Sequence, residues 1–138
     1  MPIRDTTTGS VLEQMVVPAL KRGGYDCRTH VDIGNRLGGG RHLIDLVAEK
    51  DGRKHLISLK WQQVAGTAEQ KVPFEVMSLA EAVLSGEYAT AYLVLGGEGW
   101  KLRTFYVGGG LKRHLVFAEQ VRILTLESFT SLANKSSL

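Results

Sequence analysis

The sequence predicts a mixed α/β fold, a β-sheet flanked by helices in the order αβββαβ. Three observations predict this fold. Apolar residues recur at helical spacing over residues 8–22. An Asp-Gly pair separates two apolar runs, 42–49 and 54–61, which is the pattern of a β-hairpin. A second helical stripe then leads into residues 89–95, an uncharged apolar run that is typical of a buried strand.

The first helix is expected over 8–22, and Gly23-Gly24 ends it. Its apolar stripe comprises Val11, Leu12, Met15, Val16, Ala19 and Leu20. Pro18 is expected to kink this helix, because an interior proline removes a backbone hydrogen bond. Residues 25–33 predict a strand, and the glycine-rich residues 34–41 predict a flexible loop.

Residues 66–86 are expected to contain a second helix, which is entered at Pro73, a favourable first helical residue. Its buried stripe comprises Val72, Val76, Leu79, Ala80 and Val83. Further along the chain, residues 100–107 fit either a helix or a strand, and residues 111–120 favour a helix.

Length and composition indicate one domain over residues 1–138, with its core at about 8–95 and a C-terminal strand and helix at about 121–134. Hydrophobic residues make up 43% of the chain and charged residues 22%, which excludes a disordered or fibrous protein. The net charge of +3 permits an acidic partner such as nucleic acid without requiring one.

The sequence lacks the features that are typical of secreted and membrane proteins. A single cysteine, Cys27, excludes an intrachain disulfide and a metal site built from cysteines. The sequence has no apolar run of the roughly 18 residues that a membrane span needs. Its first residues lack the layout of a signal peptide. We therefore expect a cytoplasmic protein without a membrane partner.

The hairpin brings two charged residues together. If Asp51 and Gly52 form its loop, Asp45 lies opposite Ser58, and Lys60 is their diagonal neighbour on the same face. The strands around Asp45 and Lys60 are otherwise apolar, and such charges are rarely buried unless they are paired. Two interpretations remain open. In the first, the two residues form a structural ion pair or lie on a solvated face beside the core. In the second, the carboxylate and the ammonium converge on a phosphate and a metal.

Asp45, the run Ser58-Leu59-Lys60 and then Gln62 or Gln63 resemble the motif of the PD-(D/E)XK nuclease superfamily. This family includes type II restriction endonucleases and archaeal Holliday-junction resolvases. The resemblance covers about residues 8–95 and implies a restriction-endonuclease-like fold. It also implies that Asp45 and Lys60 are catalytic and that Gln62 contacts substrate or water.

The chain departs from the family motif at Ser58, which stands where the family has an acidic residue and cannot supply its charge. Some restriction enzymes of the family carry this glutamate on the following helix, and Glu75 is the corresponding candidate here. Glu69 is a weaker candidate on the same helix. Glu13 resembles the metal-site glutamate that many members carry on the first helix. The resemblance therefore implies that Asp45, Glu75 and Glu13 bind the metal and take part in catalysis.

The reaction that the resemblance implies is hydrolysis of a phosphodiester bond. A divalent cation held by carboxylates can acidify its bound water and neutralise charge on the phosphate. Carboxylate oxygens suit hard cations, so Mg²⁺ is the expected cofactor and Mn²⁺ its substitute. The Lys60 ammonium can position the attacking water or stabilise the developing charge.

Four residues are expected to contact DNA: Arg36, Arg41, Ser58 and Gln63. The two arginines flank the glycines 38–40, a loop that is either a plain connection or a contact to phosphates. No Gly-Lys-Ser/Thr follows these glycines, which excludes a phosphate-binding P-loop.

Trp61 is expected to pack in the core, on the face opposite Lys60, rather than to stack on a base. Cys27 is expected to act as a small hydrophobic residue of its strand. The four histidines show no metal-ligand spacing and are expected at the surface or at strand edges.

Together these features predict a Mg²⁺-dependent DNA endonuclease of the restriction type, or one specific for branched structures such as junctions. A homodimer is expected, because a duplex presents two strands and cutting both takes two sites. Two alternatives remain: a catalytically inactive nucleic-acid-binding protein of the same fold, and a nuclease directed at RNA.

Overall fold

The computed structural model describes residues 7–35 and 37–138, which form a five-stranded sheet with helices on both faces. The strands are Asp26–Asn35 (β1), Arg41–Lys50 (β2), Arg53–Trp61 (β3), Thr90–Gly96 (β4) and Val121–Thr125 (β5). The helices are Thr7–Val11 (α1), Val17–Arg22 (α2), Ala68–Leu84 (α3), Arg103–Val107 (α4) and Leu126–Asn134 (α5). A π-helical segment, Leu12–Val16, joins α1 to α2, and 3₁₀ turns lie at Gly110–Arg113 and Ala118–Gln120.

The sheet is mixed and has the order β1-β2-β3-β4-β5. Neighbours among β1, β2 and β3 are antiparallel, whereas β4 pairs in parallel with β3 and with β5. The predicted αβββαβ order is therefore confirmed. The hairpin loop lies at Asp51 and Gly52, as predicted, with φ angles of 54° and 77°, and Lys50 lies opposite Arg53. Two positive φ angles give the turn a twist that matches the strands.

Apolar side chains fill both faces of the sheet. One cluster, the α3-side core, contains the inner face of α3 together with Leu56 of β3 and Leu93 of β4. The other cluster, the α5-side core, contains Leu20 of α2, Phe129 of α5 and Leu46 of β2. The whole predicted stripe of α3 is buried, as the helical spacing of its apolar residues requires.

The first helix differs from the prediction in its geometry. The Val17 N–H bonds to the Leu12 carbonyl, which is π-helical spacing, and Pro18 lies in the first turn of α2, where a proline removes no needed hydrogen bond. The wider π turn changes the phase of the apolar stripe. Met15, expected in the core, is therefore 50% exposed, while the other members of the stripe are buried.

The start of α3 was predicted wrongly. The helix begins at Ala68, and Pro73 lies inside it. A proline there cannot donate to the carbonyl of Glu69, four residues earlier. The Tyr106 hydroxyl donates to that carbonyl instead, at 2.6 Å, so the acceptor is not left unpaired. Glu75 consequently lies beyond the first turn of the helix.

The segment between β4 and β5 contains less regular secondary structure than predicted. The ambiguous residues 100–107 contain the short helix α4, and residues 111–120 contain 3₁₀ turns rather than a helix. The last strand and the closing helix occupy residues 121–134, as predicted. No helix in the described parts of the chain is long and apolar enough to cross a membrane.

Candidate functional site

At His30 and Asp45, the paired strands β1 and β2 exchange the faces of the sheet to which their side chains point. Side chains should alternate between faces along a strand, yet Ile44 packs in the α3-side core and Leu46 in the α5-side core. The pairing register of β1 with β2 is the same on both sides of this point. His30, on the neighbouring strand, has a φ of 54°, a left-handed conformation that is uncommon outside glycine. Asp45 therefore sits where the strand changes the face it presents.

The Asp45 carboxylate points across the sheet toward β3. Its Oδ2 accepts a hydrogen bond from the Leu59 N–H at 2.7 Å. The β2–β3 ladder ends at Leu46 and Ile57, so the pair predicted between Asp45 and Ser58 lies beyond the observed ladder. The reversal of faces at Asp45 ends the regular pairing there.

The groups around Asp45 shift its pKa in opposite directions. Burial raises the pKa of the Asp45 carboxyl, and the negative charge of Glu75 raises it further. The Leu59 N–H, the Lys60 ammonium and the His30 side chain lower this pKa. Lys60 and Glu75, which the family resemblance groups with Asp45, thus both lie within electrostatic reach of the Asp45 carboxyl.

Lys60 reaches this place from the end of β3. Strand alternation puts it on the same face as Leu56, which belongs to the α3-side core. Its side chain is half-buried. The ammonium therefore leaves the strand on the side that α3 covers, where Glu75 also lies.

Glu75 is held by a histidine that sequence reasoning missed. Its Oε1 lies 3.1 Å from His42 Nε2, and the two residues are 6% and 1% exposed. The prediction that the histidines lie at the surface or at strand edges is wrong for His42 and for His55, which is 2% exposed on the central strand β3. A signal was present, since His42 lies two residues before the buried Ile44 and so shares its face.

The other two candidate acids lie elsewhere. Glu69 accepts hydrogen bonds from the Lys101 and Leu102 N–H groups, which ties α3 to the loop before α4. Glu13 is exposed on the π-helical segment. Among the described residues, the charged groups that act on Asp45 are Lys60, Glu75 and His30, and neither Glu69 nor Glu13 is one of them.

Gln62 joins β3 to the structure that follows it. Its Nε2 donates to the Gly99 carbonyl at 2.7 Å, and its Oε1 accepts from the Ala68 N–H, at the start of α3, at 3.1 Å. Both ends of its amide are thus used within the fold. Ser58 is 4% exposed and lies opposite Leu93 of β4.

The remaining predicted contact residues lie at the surface. Arg41 is exposed and forms an ion pair with Asp32 at 3.0 Å. Gln63 is exposed beyond the end of β3, and Trp61 is half-buried against the α5-side core. Arg36 lies outside the described residues.

The donor atoms around Asp45 fit a hard divalent cation. Within residues 7–35 and 37–138, no three His, Cys, Asp or Glu side chains are grouped closely enough to hold a metal. Two carboxylates remain, Asp45 and Glu75, which repel each other in a partly dry place. Mg²⁺ suits such a pair, because it commonly takes one or two carboxylates and completes its shell with waters and substrate phosphate.

Comparison with known proteins identifies the fold and the family. The crystal structure of a protein of unknown function, AF1548, resembles this chain with a TM-score of 0.50 at 14% identity, over 80% of this chain and 54% of the other. This chain thus spans about half the length of that protein, and the likeness concerns the fold alone. No curated protein matches the chain. The model of the PD-(D/E)XK nuclease superfamily domain matches residues 4–137, nearly the whole sequence, and the chain therefore belongs to this superfamily.

Proposed function

We propose that this protein is a Mg²⁺-dependent endodeoxyribonuclease whose catalytic residues are Asp45, Lys60 and Glu75. The observation that carries the proposal is the convergence of two carboxylates and an ammonium where β2 turns over. Burial and the Glu75 charge raise the pKa of Asp45. A carboxyl whose pKa is raised by burial and by a neighbouring carboxylate is typical of a site that a cation completes.

The three residues have distinct roles in this proposal. Asp45 and Glu75 hold the cation. When bound, the cation supplies charge neutralisation at the phosphate and a more acidic water. Lys60 holds the attacking water by hydrogen bonding, or stabilises negative charge as it develops on the phosphate oxygens. The Leu59 N–H fixes one oxygen of Asp45, so the carboxylate keeps its orientation before substrate binds.

Helix α3 provides the acid that position 58 lacks. Ser58 is buried on the face that α3 covers, and Glu75 approaches Asp45 from that helix. In this proposal the Glu75 carboxylate, carried by α3, replaces the acidic side chain that the family motif has at position 58 of β3. The contact with His42 holds it in this position.

The substrate that we propose is duplex or branched DNA. A duplex requires two cuts, so we also propose a homodimer, in which two-fold symmetry would present one site to each strand. Sedimentation of the purified protein at several concentrations, with and without DNA, tests the dimer separately from the chemistry.

The test of the function is a cleavage assay. Supercoiled plasmid, a four-way DNA junction and an RNA of the same sequence are each incubated with Mg²⁺, Mn²⁺ or EDTA. We expect cleavage of DNA with either metal and none in EDTA. Preference for the junction over the plasmid would indicate a structure-specific enzyme, and the reverse a restriction-type enzyme.

A pair of matched variants tests the site. Glu75→Gln should lose most cleavage, whereas Glu69→Gln, on the same helix but bonded to the loop before α4, should keep it. Binding of DNA without cleavage in either metal would replace the proposal with an inactive binding protein. Cleavage of the RNA alone would overturn the substrate assignment.

A further inference from the structure

A groove of about 630 Å³ opens at the carboxyl ends of β3 and β4, next to the catalytic strand. Its walls come from the ends of these strands, the π-helical segment and α5. Ligand sites of proteins commonly measure about 300–1,000 Å³. In sheets with parallel strands they lie outside the carboxyl ends of those strands. The proposed nuclease chemistry uses none of the side chains that line this groove.

The π-helical segment shapes one wall. Its extra residue turns Met15 out of the core, and Gln14 and Met15 both line the groove. Both side chains are exposed, although the sequence stripe would have buried Met15. π-Helical turns inside α-helices occur frequently at functional sites.

A tryptophan and amide side chains provide the contact surface. The Trp61 indole lies against Gly96, where a Cβ atom would come within 2.6 Å of the ring, so glycine admits it. Trp61 is only half-buried, and its remaining surface lines the groove. Gln14 and the exposed Gln63 add amide groups that donate and accept hydrogen bonds.

The charges of the groove balance. Arg22 and Arg103 are matched by Glu98 and Glu127, and the described lining contains no other charged residue. Arg103 donates to the Gly97 carbonyl, while its Nε is buried without a partner among the described residues. A surface without net charge does not favour a phosphate. It favours a flat, uncharged group with several donors and acceptors.

We propose that this groove binds an unpaired nucleobase of the substrate, next to the phosphate at Lys60. This inference rests on the proposed nuclease function. Lys60 and Trp61 are consecutive in β3, and their side chains leave opposite faces of the sheet. A nucleic-acid strand that crosses the end of β3 therefore places its phosphate on the α3 side and its base on the α5 side. The base stacks on Trp61 and meets Gln63 at its edge, an edge that it cannot also offer to a complementary base.

The inference is tested by binding in EDTA, which separates recognition from cleavage. The probes are two labelled DNA duplexes of one sequence, one fully paired and one with a single unpaired base, and fluorescence anisotropy measures their affinity. We expect the second duplex to bind about tenfold more tightly, because stacking on one aromatic side chain gives an effect of this order. Gln63→Ala should reduce this preference, while Gln70→Ala, an exposed glutamine of α3 outside the groove, should leave it unchanged.

Trp61→Phe and Trp61→Ala extend the test, with thermal unfolding as the control for folding. Phenylalanine should keep part of the preference, and alanine should remove it. Equal affinity of the parent protein for both duplexes would overturn the inference, as would an equal loss of affinity for both duplexes in Gln63→Ala. If the preference is found but no metal cleaves the DNA, the groove assignment stands and the nuclease proposal fails. If the DNA is cleaved but the preference is absent, the nuclease proposal stands and the groove assignment fails.

Discussion

His42 and Glu75 form a buried pair that ties β2 to α3, with 3.1 Å between His42 Nε2 and Glu75 Oε1. Their side chains are 2% and 7% exposed. His42 lies on the same strand as Asp45, three residues earlier. The pair therefore sets where the helix carboxylate stands relative to the strand carboxylate, and we assign His42 as a positioning residue of the proposed metal site.

Replacing His42 should weaken metal binding as well as the fold. His42→Ala removes the hydrogen bond between His42 and a buried Glu75 oxygen, which should lower the free energy of unfolding by about 1–3 kcal/mol. It should also lower Mn²⁺ affinity, measured by electron paramagnetic resonance, and His42→Gln, which can still donate, should recover part of it. His114→Ala, at an exposed histidine, is the control. Parental metal affinity in His42→Ala would mean that the pair serves stability alone.

Lys60→Ala should reduce the rate of cleavage about 10²- to 10³-fold, the effect of removing one donor aimed at developing charge. Folding and most DNA binding should persist, because Lys60 is only half-buried. Lys54→Ala is the matched control: Lys54 is half-buried on the same strand and face but pairs with Glu49 near the hairpin loop. Single-turnover kinetics compares the two variants. A parental rate in Lys60→Ala would refute the site assignment.

Asp45→Asn should raise the stability of the metal-free protein while abolishing cleavage. Burial raises the pKa of Asp45 above its unfolded value. Its contribution therefore favours folding at low pH and is lost as pH rises through the folded-state pKa. At neutral pH the ionised carboxylate costs stability, whereas the asparagine oxygen can still accept from the Leu59 N–H.

Calorimetry in EDTA checks this prediction. The Tm of Asp45→Asn should exceed that of the parent at neutral pH, and the difference should shrink as the solution is acidified. Asp32→Asn provides the contrast. The Gly34 N–H, followed by Arg41, lowers the pKa of this exposed carboxyl, so its loss should not raise the Tm. A lower Tm for Asp45→Asn at neutral pH would contradict the argument.

Tyr106→Phe should destabilise the fold by about 0.5–1.5 kcal/mol, the net value of one hydrogen bond. Tyr106 donates to the Glu69 carbonyl that Pro73 leaves without a helical partner. In a Pro73→Ala background the alanine N–H can bond to that carbonyl, so the same change should cost less. A double-mutant cycle in urea measures the coupling. Equal costs in both backgrounds would show that the hydroxyl and the proline act independently.

The sequence by itself determined the features that depend on neighbours along the chain. Turn chemistry at Asp51-Gly52 set the hairpin and its register near the loop, and helical spacing identified the buried stripe of α3. The motif residues Asp45 and Lys60 could be found because charges stand out in apolar strands. Glu75 could be proposed only through the family resemblance, with no means of seeing what holds it.

Tertiary structure decided the rest, because the deciding contacts join distant parts of the chain. His42 meets Glu75 across 33 residues, and Tyr106 satisfies the Glu69 carbonyl across 37, which lets α3 begin before Pro73 rather than at it. The reversal of faces at Asp45 cannot be read from the alternation of side chains along the strand. It becomes visible only when Ile44 and Leu46, two residues apart, are found in different cores. The charged positions Asp45 and Lys60 could be named from the sequence, but only the packing of α3 against the sheet could bring the Glu75 carboxylate within electrostatic reach of Asp45.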